Sequence, residues 1–144
     1  MIRAGLAALA LLFSTPGCAG ETPRLGQDAL LERMSSGSAE LVVLDVRTAQ
    51  EFEQGHVPGA INISHDELEA RLPELAADRD KDVVVYCRSG RRAELALGVL
   101  HKAGFPRLHH LDGDYAGWEA AQRPVEKGPA GQDVAEVEPG ALAN

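Results

Sequence analysis

The sequence predicts an α/β domain with a central, mostly parallel sheet and helices packed on both of its faces. Three observations carry that prediction. Leu41-Val42-Val43-Leu44 and Val83-Val84-Val85-Tyr86 are unbroken apolar runs, the pattern of strands buried on both faces. Segments of helical spacing separate such runs, as parallel pairing requires a crossover between strands. The chain has 144 residues, 44% apolar and 25% charged, which is ordinary globular usage for one domain.

Each element follows from local chemistry. Leu25, Ala29, Leu30, Arg33 and Met34 outline a short amphipathic helix closed by Ser35-Ser36-Gly37. After the first strand, Thr48 and Glu51 form a T-x-x-E capping box for one or two turns, with Gly55 placed to end them. Val57-Pro58-Gly59 is turn chemistry, and Ala60 to Ile63 a short strand. Ser64 and Glu67 repeat the capping pattern ahead of Leu68, Leu72 and Leu75, which share one helical face. Asp78-Arg79-Asp80-Lys81-Asp82 is a solvated charged loop.

Beyond the second strand, Ala93, Leu95, Ala96, Leu97, Val99 and Leu100 continue a helix to Gly104, with Pro106 past its end. Leu108 to Leu111 forms a last strand and Tyr115 to Ala121 a last helix carrying Trp118 in the core. From Pro124 onward the composition turns to Pro, Gly, Asp and Glu, which predicts a mobile tail. The folded domain is therefore placed at residues 25–126 and the tail at 127–144.

Residues 1–20 read as an export signal, with Arg3 ahead of the apolar run Leu6 to Phe13. That run is shorter than the roughly 20 residues a spanning helix needs. Gly17-Cys18 resembles a bacterial lipobox, in which Cys18 is lipidated and becomes the first mature residue. An alternative cut, with Gly17 and Ala19 before the scissile bond, removes Cys18. Either route leaves Cys87 as the sole free thiol and places the mature protein in the periplasm, on a lipid anchor in the first case. Fourteen Lys and Arg against 22 Asp and Glu give a net charge of −8, which disfavours nucleic acid and anionic membrane surfaces as partners.

The chemistry concentrates at Cys87-Arg88-Ser89-Gly90-Arg91-Arg92. A strand feeding a short loop and then a helix turns the loop's N–H groups inward, and the helix dipole adds partial positive charge. Three arginines reinforce that anion cradle in a chain that is acidic elsewhere. A cysteine at its mouth is favoured as a thiolate nucleophile. Gly90 supplies the positive φ that wrapping a loop around one sulfur atom requires. Cysteine phosphatases use C-x5-R, and that position here is Ala93; the arginine arrives one residue early, at Arg92. His109 and His110 are neighbours on a strand and so face opposite ways, with no third ligand nearby; no metal and no cofactor are expected.

Leu44-Asp45-Val46-Arg47, Glu51-Phe52, Gly55 to Ala60, the loop Cys87 to Arg92, and Leu111-Asp112-Gly113 with Gly117-Trp118 together resemble a single-domain rhodanese. The resemblance spans roughly residues 25–126. It implies a rhodanese-like fold and a sulfurtransferase. Cys87 would take a sulfane sulfur from a small anionic donor such as thiosulfate, hold it as a persulfide, and pass it to cyanide or a thiol. Carried over by position, residues 88–92 form the cradle, Arg88 or Arg91 binds the donor, and Arg92 closes the loop or pairs with a carboxylate. Asp45 and Arg47 match the family's Asp-x-Arg, as a structural ion pair or a direct contact to substrate. His56 matches a structural turn. Asp114 departs from the pattern, since a second glycine is common there. The alternative is a persulfide carrier or binding module serving one partner protein, although members that only bind usually lose the cysteine.

Overall fold

The computed structural model describes residues 20–129. The expected export signal with Cys18, and residues 130–144 of the expected tail, lie outside the described residues. Five strands, β1 (Arg24–Leu25), β2 (Leu41–Asp45), β3 (Ile61–Asn62), β4 (Asp82–Tyr86) and β5 (Leu108–Leu111), form one sheet in the order β1-β5-β4-β2-β3. Every pairing is parallel. The helices are α1 (Gln27–Ser35), α2 (Ala49–Gln54), α3 (Leu68–Arg71), α4 (Arg91–Lys102) and α5 (Asp114–Ala120), with a 3-10 stretch at Leu72–Asp78.

Strand alternation splits the core into two layers. Val42, Leu44, Val83, Val85 and Cys87 face α3, the 3-10 stretch and α4, meeting Leu68, Leu75, Ala96 and Leu100. Val43, Val84 and Tyr86 face α1, α2 and α5, meeting Leu30, Phe52, Tyr115 and Trp118. The continuous apolar runs of β2 and β4 are needed because both faces are covered. The register sets Leu44 beside Val85 and Asp45 beside Tyr86, so β2 and β4 end level and Cys87 emerges just beyond that edge.

Three expectations are corrected. Strand β1 was not anticipated: Arg24 and Leu25 pair with His110 and Leu111, and two residues are too few to show a period. The second capping box is not made, because the Ser64 hydroxyl bonds Asp66 and Glu67 turns to Arg71. The helix starts at Leu68 instead and tightens to 3-10 geometry from Leu72, with Pro73 unable to donate to an α-helical ladder. The chain past Pro124 is held as well. His56 and Glu126 exchange backbone hydrogen bonds of 2.9 Å, Gly128 N–H donates to Glu53 O at 2.9 Å, and Trp118 Nε1–H donates to Pro124 O at 2.8 Å. Residues 124–128 are thus tied to the domain by hydrogen bonds while Pro124 to Lys127 stay exposed.

Candidate active site

Cys87 sits where β4 ends and α4 is about to begin, 1% exposed, its side chain on the α4 face. Gly90 N–H donates to Cys87 Sγ at 3.0 Å. That bond needs the tight return that Gly90 makes at φ +110, a backbone conformation open to glycine. A Cβ at Gly90 would lie 3.1 Å from Asp114 Oδ2 and 3.4 Å from His110 Cε1, so space as well as φ demands glycine. Gly90 is also the residue before α4, so the sulfur lies against the positive end of a twelve-residue helix.

Of the three arginines, only Arg92 is committed. Its guanidinium grips Glu51 at 2.8 and 3.0 Å, joining the first turn of α4 to the first turn of α2. Glu51 also completes the capping box with Thr48, as the sequence predicts. The Arg92 hydrogen bonds draw the Glu51 carboxyl down to about 2, against an ordinary 4.5. Arg92 is therefore a strut for the loop. Arg88 and Arg91 are exposed and have no carboxylate partner among the described residues, as does befit side chains free to meet an anion.

Asp45 and Arg47 form a fully buried ion pair, with Arg47 Nη2 2.6 Å from Asp45 Oδ2. Arg47 Nη2–H also donates to Gly55 O at 2.7 Å, and its guanidinium lies 4.0 Å from the centroid of the Tyr115 ring. Asn62 Nδ2 bonds the carbonyls of both Asp45 and Arg47 at 3.0 Å. With its donors shared out in this way, Arg47 braces the end of β2 against α2 and α5. A shallow cavity of about 100 Å³, lined by Arg47, Glu51, Gln54, Gly55, Arg88, Tyr115 and Glu119, opens beside that brace.

His56 is structural: its ring stacks on Phe52 with centroids 3.5 Å apart, and Nδ1–H donates to Phe52 O at 2.7 Å. His109 and His110 point to different partners, Asp82 and Asp114. In the sequence Asp114 stands out only as a departure from the family's glycine pattern. Its carboxylate is buried directly under the loop and accepts Cys87 N–H at 3.0 Å. The backbone reinforces that placement, with Tyr115 N–H donating to Cys87 O at 2.9 Å and Ala116 N–H to Arg88 O at 3.1 Å.

The rhodanese-like domain family matches residues 27–121, two thirds of the chain. The chain belongs to the rhodanese-like family. It is 32% identical over 113 residues to the thiosulfate sulfurtransferase PspE of Escherichia coli, covering 78% of this chain and 89% of that one. It is 33% identical over 90 residues to the putative sulfur carrier protein YrkF of Bacillus subtilis, covering 62% of this chain. It spans less than half of YrkF, 47%, and 42% of a 41% identical HTH-type transcriptional regulator of Mycobacterium tuberculosis. The solution structure of a rhodanese-like domain from Anabaena superposes with a TM-score of 0.65 at 26% identity, covering 86% of this chain and 89% of that one. This rhodanese-like chain thus has sulfurtransferase and sulfur-carrier relatives.

Proposed function

We propose that the protein is a sulfurtransferase that carries a sulfane sulfur on Cys87. The observation that carries this reading is the placement of Cys87 Sγ, 3.0 Å from Gly90 N–H and at the positive end of α4. An amide and a helix terminus aimed at one sulfur stabilise negative charge there, on a thiolate or on the terminal sulfur of a persulfide. The Cys87 thiolate attacks the outer sulfur of thiosulfate. A new S–S bond forms, the donor S–S bond breaks, and its electron pair leaves on sulfite. Cyanide or a thiolate then attacks the outer sulfur of the Cys87 persulfide, forming thiocyanate or a new persulfide and returning the Cys87 thiolate. Two successive displacements at sulfur balance without an external oxidant or reductant, and no cofactor is called for.

Arg88 and Arg91, with no carboxylate partner among the described residues, supply the positive charge that a dianionic donor meets at the mouth. The likeness to YrkF supports a second reading, in which Cys87 holds the sulfur for one partner protein. The apolar run Leu6 to Phe13 behind Arg3 supports a periplasmic site of action, and Cys18 a lipid anchor. Thiocyanate production from thiosulfate and cyanide tests the proposal. Wild-type protein turns over, whereas Cys87→Ser is inactive with an unchanged melting curve. Equal activity of the serine variant would remove Cys87 from the reaction. Stoichiometric loading with no turnover would favour the dedicated carrier.

A further inference from the structure

Asp114 is expensive where it stands. Its φ is +51, a region that glycine, asparagine and aspartate enter most readily among residues, and it is buried, 3% exposed. Two contacts account for it. Asp114 Oδ1 accepts the Cys87 N–H at 3.0 Å, and His110 Nε2, also buried, lies 3.0 Å from both carboxylate oxygens. A carboxylate only accepts, so His110 Nε2 carries the proton and donates. The two sit side by side beneath Gly90, within van der Waals reach of the position its Cβ would take. The pair therefore holds the loop at Cys87 and fills the space beside Gly90, at the other end of the turn that presents the sulfur.

We infer that Asp114, steadied by His110, is a positioning residue for Cys87. It fixes the first amide of the loop, and with it the direction in which Sγ meets the Gly90 N–H and the incoming donor sulfur. Asp114 does not touch the donor: it acts through the Cys87 backbone, and His110 acts through Asp114. The inference rests on Cys87 being the sulfur-carrying nucleophile.

The position offers two unstrained tests, because glycine and asparagine both tolerate φ +51. Asp114→Asn keeps an oxygen to accept the Cys87 N–H; Asp114→Gly removes the acceptor and leaves the backbone its preferred residue. Steady-state transfer from thiosulfate to cyanide would be compared with the amide spectrum of 15N-cysteine-labelled full-length protein. Asp114→Gly is expected to lose about 10- to 100-fold in kcat, the scale of a lost charge-assisted hydrogen bond, with KM for thiosulfate within about twofold. Its Cys87 amide proton moves upfield. Asp114→Asn restores the amide position and brings kcat to within about threefold of wild type, by keeping the acceptor. Wild-type kcat in Asp114→Gly, or an equal loss in both variants, overturns the positioning role. If wild-type protein transfers no sulfur, the sulfurtransferase reading fails instead, and an unmoved Cys87 amide in Asp114→Gly would separately refute the hydrogen bond.

Discussion

Replacing Glu51 by Gln isolates the charge in the strut that closes the active loop. Gln keeps the capping geometry toward Thr48, because a Glu or Gln at this position can complete the box, while the ion pair to Arg92 is lost. The Glu51 carboxyl titrates at about 2 rather than 4.5. At 1.36 kcal/mol per pH unit the gap sets an upper bound of about 3 kcal/mol. Both side chains are a little under a third exposed, 27% for Arg92 and 30% for Glu51, so solvent screening reduces this to about 1–2 kcal/mol. The sign follows from linkage: a carboxyl depressed by folding stabilises above its unfolded value and loses that contribution as pH falls through its folded one. The contribution is complete near neutrality and fades between pH 4.5 and about 2. Urea unfolding of wild type and Glu51→Gln across pH 7 to 2.5 reads it directly. The gap between the two proteins should be widest at pH 7 and shrink steadily toward acid. A gap independent of pH would refute the ionic account and assign the loss to packing around α2.

Gly90→Ala introduces a Cβ at φ +110 and 3.1 Å from Asp114 Oδ2. It should cost about 1–3 kcal/mol in urea unfolding and slow sulfur loading in the same protein, since the turn that aims Gly90 N–H at Cys87 has to move. Trp118→Ala empties a fully buried site and removes the hydrogen bond to Pro124 O, so a loss of about 3–5 kcal/mol is expected. Hydrogen exchange in that variant should show the amides of Glu126 and Gly128 freed along with it.

What could be read from the sequence was local or strongly patterned. The runs of β2 and β4 announce double-sided burial, Thr48 and Glu51 announce a cap, and a cysteine followed by Arg-Ser-Gly-Arg-Arg announces an anion loop. What stayed hidden depends on partners far apart in the chain. The short β1 exists only because β5 offers it an edge, and the segment 124–128 is ordered by His56, Glu53 and Trp118 rather than by its own composition. The sequence offers Arg92 a carboxylate partner without naming it, and only the fold brings Glu51, 41 residues away, into its reach. Asp114 stood out as a broken glycine pattern, yet its contact with Cys87 crosses 27 residues and two elements. The signal in the sequence is an acid at a position that favours glycine; its burial and its backbone donor belong to the fold.

Intact mass of the full-length protein tests the central claim most directly: reduced, then exposed to thiosulfate, then to cyanide, beside Cys87→Ser. Wild type should gain the mass of one sulfur atom with thiosulfate and lose it to cyanide as thiocyanate, while the serine variant stays unchanged throughout. A reduced, folded wild type that gains no sulfur, or a serine variant that gains it equally, would contradict the assignment of Cys87 as the sulfur carrier.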